Sequence, residues 1–337
     1  MIRYRNSFLA TVFAFSLIAA QNNSQAEELP QEQEAVHNFG VRIDGGAKAS
    51  YWHTDDDDDS SDTNGNVLDY HPEIIPTKMV QGQLTWQDNV IYHVSYESPY
   101  LLGKTEEQNA ALEIARKKST IRKLHTYLNL LMLAPQDAEG VMGFISRLRL
   151  DYRYHVFVGK ATVQKWTEYI DTYGNVTQLN PDDQISFKSE FSEISIYNQV
   201  SHKLWFGIYQ NTTLKPYEAS TMMPHVLKTK ITGTGLKFLV ETESFTFDTN
   251  LGIVKFRADR DNFRSNGYEV VLHGDWHPNF YIFGSENDRH SLSIVPSLGA
   301  QWYMQFGDKA PGWESNGMGE MSMDIIVDAG LRLHYKF

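Results

Sequence analysis

The sequence predicts an all-β fold, a transmembrane up-and-down antiparallel barrel of about twelve strands with one amphipathic helical insert. Three observations support this. Apolar and polar residues alternate over many segments, and successive side chains of a strand point to opposite faces. The mean hydropathy is polar at −0.42, yet 13% of the 337 residues are aromatic. The closing segment, Met321–Phe337, alternates along its entire length. A barrel with a lipid-facing outer side, a wet interior and aromatic girdles reconciles these facts.

The closing segment also indicates where the protein resides. Every odd position is apolar, and Ile326 is the only large apolar residue at an even position. Its last four odd residues closely resemble the C-terminal signature by which the assembly machinery recognises bacterial outer-membrane β-barrels; they are Leu331, Leu333, Tyr335 and Phe337. The resemblance implies a porin-like outer-membrane protein, whose partners are the barrel assembly machinery, outer-membrane lipid and lipopolysaccharide. An edge strand of a soluble sandwich is the alternative, but so long an apolar face would favour aggregation in water.

The amino-terminal segment is consistent with export. Arg3 and Arg5 precede an apolar run from Phe8 to Ala20, and small residues follow at 24–26. We predict a signal peptide over 1–26, an N-terminal periplasmic extension over 27–38 and a barrel over 39–337. No other segment approaches the roughly 20 consecutive apolar residues of a membrane-spanning helix.

Composition excludes several classes of function. The chain has no cysteine, so it has no disulfide, thiolate nucleophile or cysteine-ligated metal. Its formal net charge is −12, which argues against nucleic acid as a partner, because phosphate contacts need clustered Lys and Arg. No cofactor is predicted. The acidic run Asp55–Asp59 offers carboxylates to a divalent cation, but it lacks the ligand spacing of an EF-hand, so we interpret it as solvated surface charge.

Twelve alternating segments are the predicted strands: Phe39–Trp52, Thr77–Gln87, Asn89–Glu97, Met142–Val158, Ala161–Asp171, Ile185–Asn198, His202–Thr212, His225–Phe247, Leu251–Asp259, Tyr268–Ser285, His290–Phe306 and Met321–Phe337. The pattern breaks over Leu102–Gln136, where apolar residues recur at helical spacing, and we predict an amphipathic helix within an insert over 98–141. With both termini in the periplasm, the short connections, among them Gly159-Lys160 and Asp248–Asn250, fall on the periplasmic side. The acidic loop 53–76 and the helical insert are then extracellular.

The strand parity opposite to the lipid-facing one predicts the lining of the lumen. Its members are charged residues and histidines: Arg147, Arg149, Asp151, Arg153, His155, Lys255, Arg257, Asp259, Glu269, His273, Asp275, His277, Asp324, Asp328, Arg332 and His334. Mixed charge of this kind either seals an interior with ion pairs or lines an aqueous path. The basic ladder of Arg147, Arg149 and Arg153 would bias a pore toward anions or pair with acidic residues across the lumen.

Two constellations raise the question of a metal or catalytic site. His273, Asp275 and His277 share one face of a strand, about 7 Å apart at each step. With no fourth ligand identifiable, we interpret them as a hydrogen-bonded ladder and predict no metal site. Ser192 and Ser195 lie near His202 in sequence, but no third group supports them, so no catalytic residue is predicted.

These features lead to one function and two alternatives. We expect a channel for passive diffusion of small hydrophilic solutes, gated or plugged by the helical insert. An outer-membrane hydrolase acting on lipid remains open, and so does a sealed structural or interaction barrel with partner-binding surface loops.

Overall fold

The computed structural model describes residues 39–57, 68–70, 73–86, 89–99, 119–130, 140–164, 166–170, 176–201, 203–219, 225–258, 264–285, 288, 290–307 and 321–337. The strands are β1 (Phe39–Asp57), β2 (Leu68–Tyr70), β3 (Glu73–Trp86), β4 (Asn89–Pro99), β5 (Thr120–Asn129), β6 (Leu148–Val163), β7 (Thr167–Ile170), β8 (Val176–Leu179), β9 (Gln184–Ser201), β10 (Leu204–Ala219), β11 (His225–Glu241), β12 (Phe245–Ala258), β13 (Arg264–Trp276), β14 (Phe280–Phe283), β15 (Ser291–Gly307) and β16 (Met321–Lys336). One short helix, α1, spans Gly140–Ser146. None of the described residues belongs to a helix that is both long and apolar enough to cross a membrane.

Twelve of these strands close into an antiparallel barrel, which confirms the predicted fold class and strand number. Their order around the wall is β1, β3, β4, β5, β6, β9, β10, β11, β12, β13, β15 and β16. The β1–β16 pairing runs from Arg42 opposite Lys336 to Asp57 opposite Met321, and it closes the ring. We call the end where β1 begins and β16 ends the near mouth, and the opposite end the far mouth.

The predicted helix is wrong where the structure describes it. Thr120–Asn129 forms β5, which pairs with β4 on one side and β6 on the other. Alternation is hidden in the sequence because the inward-facing residues include apolar ones, Ile121 and Tyr127, which are buried inside the barrel. Apolar residues on both faces of a strand can mimic helical spacing. The remainder of the predicted helix before Ser119 lies outside the described residues.

Two predicted turns are also wrong. Strand β6 continues through Gly159 and Lys160 to Val163, so the separate strand predicted over Ala161–Asp171 does not exist as a wall strand. This error offsets the missed strand β5, and the count of twelve survives both. Asp248–Asn250 lies within β12, and the real turn is at Thr242, whose N–H donates to the Phe245 carbonyl at 2.8 Å.

The outer face of the barrel is apolar. Large side chains exposed on it come from wall strands all around the ring and include Ile43, Val80, Tyr92, Leu150, Ile194, Ile208, Leu236, Ile253, Tyr268, Leu298, Leu331 and Leu333. On β16 these alternate with inward-facing polar residues, as the sequence predicts. A band of this kind is what contact with lipid requires.

The last residue offers a test of the terminal signature. The Phe337 ring contacts the Tyr335 ring, with centroids 4.5 Å apart. The main-chain N–H of Phe337 donates to the Val41 carbonyl at 2.9 Å. We expect Phe337→Ser to leave export intact but to reduce the folded fraction severalfold, because the recognition element is altered. The measurement is the heat-modifiable band on SDS gels of membrane fractions. Tyr268→Ser, which also removes an exposed outer aromatic, is the control and should assemble normally. Equal assembly of both variants would contradict the role of Phe337.

Two short strands reach across the far mouth. Strand β2, in the connection between β1 and β3, pairs with the end of β6, and β7 pairs in parallel with the start of β11. Since β9 and β10 lie between β6 and β11 in the wall, the hairpin of β7 and β8 bridges non-neighbouring strands. The predicted loop 53–76 is shorter at both ends, because β1 extends to Asp57 and β3 begins at Glu73. Asp58 and Asp59 lie outside the described residues.

Candidate functional site

A polar cavity of about 400 Å³ occupies the half of the barrel next to the near mouth, and we call it the vestibule. Nine of the residues predicted to line the lumen line this cavity: Arg149, Arg153, His155, His273, Asp275, His277, Asp328, Arg332 and His334. They come from β6, β13 and β16 and from the residue that follows β13. Exposed Glu243, Asn279 and Tyr281 mark where it reaches the near mouth.

The other predicted lumen residues occupy different places. Asp151 and Glu269 are buried in the interior but do not line the vestibule, and Asp324 is half-buried on the inward parity of β16. Arg147 is exposed in the turn between α1 and β6, before the wall begins. Asp259 lies outside the described residues.

Lys255 and Arg257 correct the prediction for β12. Both are exposed, while their neighbours Val254 and Phe256 are buried and pack with Ile231. The interior beside this part of β12 is apolar, so the apolar residues face inward here and the charged ones face outward. The rule that apolar residues face lipid therefore assigns Lys255 and Arg257 to the wrong face of β12.

A chain of ion pairs crosses the interior of the barrel from β6 to β11 and β12. Arg149 Nη1 lies 2.6 Å from Glu241 Oε2, and its Nη2 lies 3.3 Å from Asp151 Oδ2. Arg153 Nη1 donates to Asp248 Oδ2 at 2.9 Å. Asp248 also lies 3.7 Å from the Lys237 ammonium, which contacts Glu193 directly.

The chain is completed by polar side chains that face it. His125 Nε2 lies 3.0 Å from Asp151 Oδ2, and His273 Nδ1 lies 2.9 Å from Asp248 Oδ2. The Arg149 guanidinium also stacks on Tyr127, with Cζ 3.5 Å from the ring centroid. Buried charges are tolerated only when paired and hydrogen-bonded, so loss of one member leaves another uncompensated. This ion-pair chain therefore joins three cations to four carboxylates, and each charge in it has an opposite partner.

An apolar layer closes the vestibule towards the far mouth. On four strands, the residue two positions beyond a vestibule-lining side chain belongs to one buried apolar cluster: Ile121 beyond Lys123, Phe157 beyond His155, Tyr303 beyond Gln301 and Ile326 beyond Asp328. Ile75, Phe191 and Val271 from other wall strands join the cluster, and Leu179 of β8 packs into it. The hairpin at the far mouth therefore contributes to this layer.

The layer spans the lumen from wall to wall. Strands β6 and β15 lie diametrically opposite, since five strands separate them in either direction. The His155 Nδ1 atom of β6 is 3.4 Å from the Tyr303 hydroxyl of β15. The Phe191 ring, on β9, meets the Tyr303 ring with centroids 5.2 Å apart. We call Phe191, Tyr303 and His155 the bridge, because these side chains meet across the lumen.

The structure brings the predicted histidine ladder into ion pairs. His273 contacts Asp248, and His277 Nδ1 lies 3.3 Å from Asp275 Oδ2. Within the described ranges, no group of three His, Asp or Glu residues is arranged to hold a metal ion. Ser195 is buried and its hydroxyl donates to Glu193 at 3.2 Å, and His202 lies outside the described residues.

Sequence reasoning missed the residues that define the interior most clearly. Lys237 and Glu193 are each buried, at 1% and 2% exposure, although charged residues are almost never buried unpaired. Strand alternation offered a signal for Lys237, because it lies on the same inward face of β11 as Gly235 and Leu239. Phe191 and Tyr303 gave no signal, because the parity rule assigned bulky aromatics to the lipid side.

No family model and no curated protein matches the chain. Among solved structures, a Pseudomonas aeruginosa FadL homologue is 8% identical with a TM-score of 0.28, covering 89% of this chain and 90% of that one. The outer membrane channel DcaP of Acinetobacter baumannii is 6% identical with a TM-score of 0.24, covering 90% and 100%. The outer membrane protease OmpT of Escherichia coli is 8% identical with a TM-score of 0.24, covering 91% and 99%. All three are bacterial outer-membrane proteins, two named for different activities, and similarity at this level assigns neither activity to the chain.

Proposed function

We propose that this protein is a gated outer-membrane channel for small hydrophilic solutes, with the vestibule as its solute chamber and the bridge as its closed gate. In this proposal the near mouth faces the periplasm. The observation that carries it is an abrupt change in the lining of the lumen. A charged chamber of about 400 Å³ gives way to an apolar layer only two residues further along the strands. Hydrophobic constrictions of this kind block ions and water by dewetting.

The composition of the two halves supports a chamber rather than a filled core. Hydrophilic side chains from nearly every wall strand line the vestibule. A sealed barrel has no need of an accessible hydrophilic chamber. The gate depends on three side chains in mutual contact, because Tyr303, Phe191 and His155 each meet the other two. The helical insert is not needed for closure in this proposal, since the strand β5 occupies part of its predicted range.

Removal of the bridge should open the channel. We expect the double variant Phe191→Ala/Tyr303→Ala to raise the frequency of conductance steps in planar bilayers by about tenfold or more, because the constriction loses two aromatic side chains. The matched control is Phe206→Ala/Tyr268→Ala, which removes one Phe and one Tyr from the outer face. It should conduct as rarely as wild type.

The double variant also tests the alternatives. Tyr303→Phe keeps the ring and removes only the hydroxyl, so it gives a folded reference if the double variant assembles poorly. If a heat-modifiable, folded bridge variant remains as silent as wild type, the channel proposal fails. The ion-pair chain across the interior would then favour a sealed interaction barrel, which is the second candidate.

A further inference from the structure

A cluster of basic side chains surrounds the near mouth on the inner face of β1 and β16. Arg42 and Lys336 lie directly opposite each other in the β1–β16 register, and Arg332 and His334 follow on β16. All four line the vestibule. We call them the basic collar. The one carboxylate among them is Asp44, which stands opposite His334.

Asp44 is shared between two members of the collar. Asp44 contacts His334 and lies 3.6 Å from Arg332 Nη1, so one carboxylate serves two basic groups. Like charges directly opposite each other on paired strands, as Arg42 and Lys336 are, destabilise a sheet. Of the vestibule's other acidic residues near this mouth, Glu241 is bound to Arg149, Asp275 lies beside His277, and Glu243 is exposed at the rim.

Two guanidinium groups of the collar have free donor capacity. Arg332 is 8% exposed, and its Nη1 donates to Gln81 at 3.1 Å, yet its Nε is buried without a hydrogen-bond partner among the described residues. The buried Nε of Arg42 is in the same condition. These Nε atoms are closed to solvent, so an anion in the vestibule would be bound by the terminal nitrogens of the two guanidinium groups, both of which line the cavity.

The chemistry of the collar selects its ligand. The planar guanidinium fork matches the two oxygens of a carboxylate or a phosphate, and low-dielectric walls strengthen the attraction. We propose that the basic collar is a binding site for small anionic solutes that carry a carboxylate or a phosphate group, and that it admits them to the vestibule. The inference rests on the proposed function, because it names the solute class of the same chamber. The positive charge of the collar is opposite in sign to the net charge of the chain, which is −12.

Binding can be measured on the closed wild-type barrel, without conduction. Isothermal titration calorimetry of the folded protein in detergent would use inorganic phosphate, succinate and, as a cationic comparator, 1,4-diaminobutane. We expect phosphate, succinate or both to bind and the diamine not to bind, with affinity falling as sodium chloride is raised. Binding of only one anion identifies the headgroup chemistry that the collar prefers.

Paired variants locate the site. Arg42→Gln/Lys336→Gln should weaken anion affinity about tenfold or more, since each lost cation removes a charge-assisted bond. The control Lys188→Gln/Lys255→Gln removes two positive charges from exposed residues of the outer parity and should bind as wild type. Absence of anion binding to wild type, tighter binding of the diamine, or equal affinities in both double variants would overturn the collar proposal. A barrel that binds anions but stays silent after removal of the bridge would overturn the channel alone.

Discussion

Replacement of Lys237 by methionine will destabilise the barrel by about 3–5 kcal/mol, the cost of removing one partner from a buried ion pair. The Lys237 ammonium is 1% exposed, contacts Glu193 and lies 3.7 Å from Asp248 Oδ1. Without it, no cation among the described residues contacts the Glu193 carboxylate, which keeps the Asn250 amide and the Ser195 hydroxyl as donors. Equilibrium unfolding by urea in lipid vesicles gives the change in free energy.

Two further variants identify the cause. Lys255→Met makes the same substitution on the exposed parity of the neighbouring strand, where we expect a change within about 0.5 kcal/mol. Glu193→Gln combined with Lys237→Met should recover part of the loss, because the uncompensated carboxylate is removed. A Lys237→Met protein as stable as the Lys255→Met protein would show that the ion-pair chain does not contribute to folding.

Substitution of Gly207 by alanine should cost about 1–3 kcal/mol or more, as overpacking does when the neighbours cannot move. A Cβ atom there would lie 2.1 Å from the Ile196 carbonyl oxygen and 2.9 Å from Tyr197 Cα. These are main-chain atoms of β9, so relief requires the two strands to separate. The expected result is a lower urea midpoint and a smaller heat-modifiable fraction.

Gly45→Ala is the matched control, because nothing lies within 4 Å of a Cβ built on Gly45. We expect that variant to be neutral or slightly more stable, since alanine restricts the unfolded chain. Equal losses for both substitutions would mean that close approach of β9 and β10 is not what requires glycine at 207.

The fold was accessible from sequence because the outer face obeys a simple rule. Lipid demands apolar side chains at every second residue, and β16 shows this without interruption apart from Ile326. The exception turned out to be informative, since Ile326 faces inward and belongs to the apolar layer. A single apolar residue on the polar parity was thus the sign of a constriction.

The interior was less accessible because it changes character along the barrel axis. Near one mouth it is charged, and residues of the polar parity such as Arg149 and His334 line the vestibule there. Further along the axis, apolar clusters interrupt the polar lining, and these concealed β5 and placed Lys255 on the wrong face. Contacts across the lumen, such as that of Phe191 with Tyr303, join residues more than a hundred positions apart, and local patterns contain no information on such pairs.

The strands that reach across the far mouth have a consequence for how this surface can vary between related proteins. Strands β2 and β7 attach to β6 and β11 by ladder pairing, and main-chain hydrogen bonds do not depend on the identity of the side chains that point away. Exposed positions of these crossings are therefore free to diverge while the crossings persist. Insertions of an odd number of residues are the changes they cannot absorb, because a shift of one residue sends Leu179 out of the apolar layer. We expect families of such barrels to show rapid substitution but few length changes over 176–179.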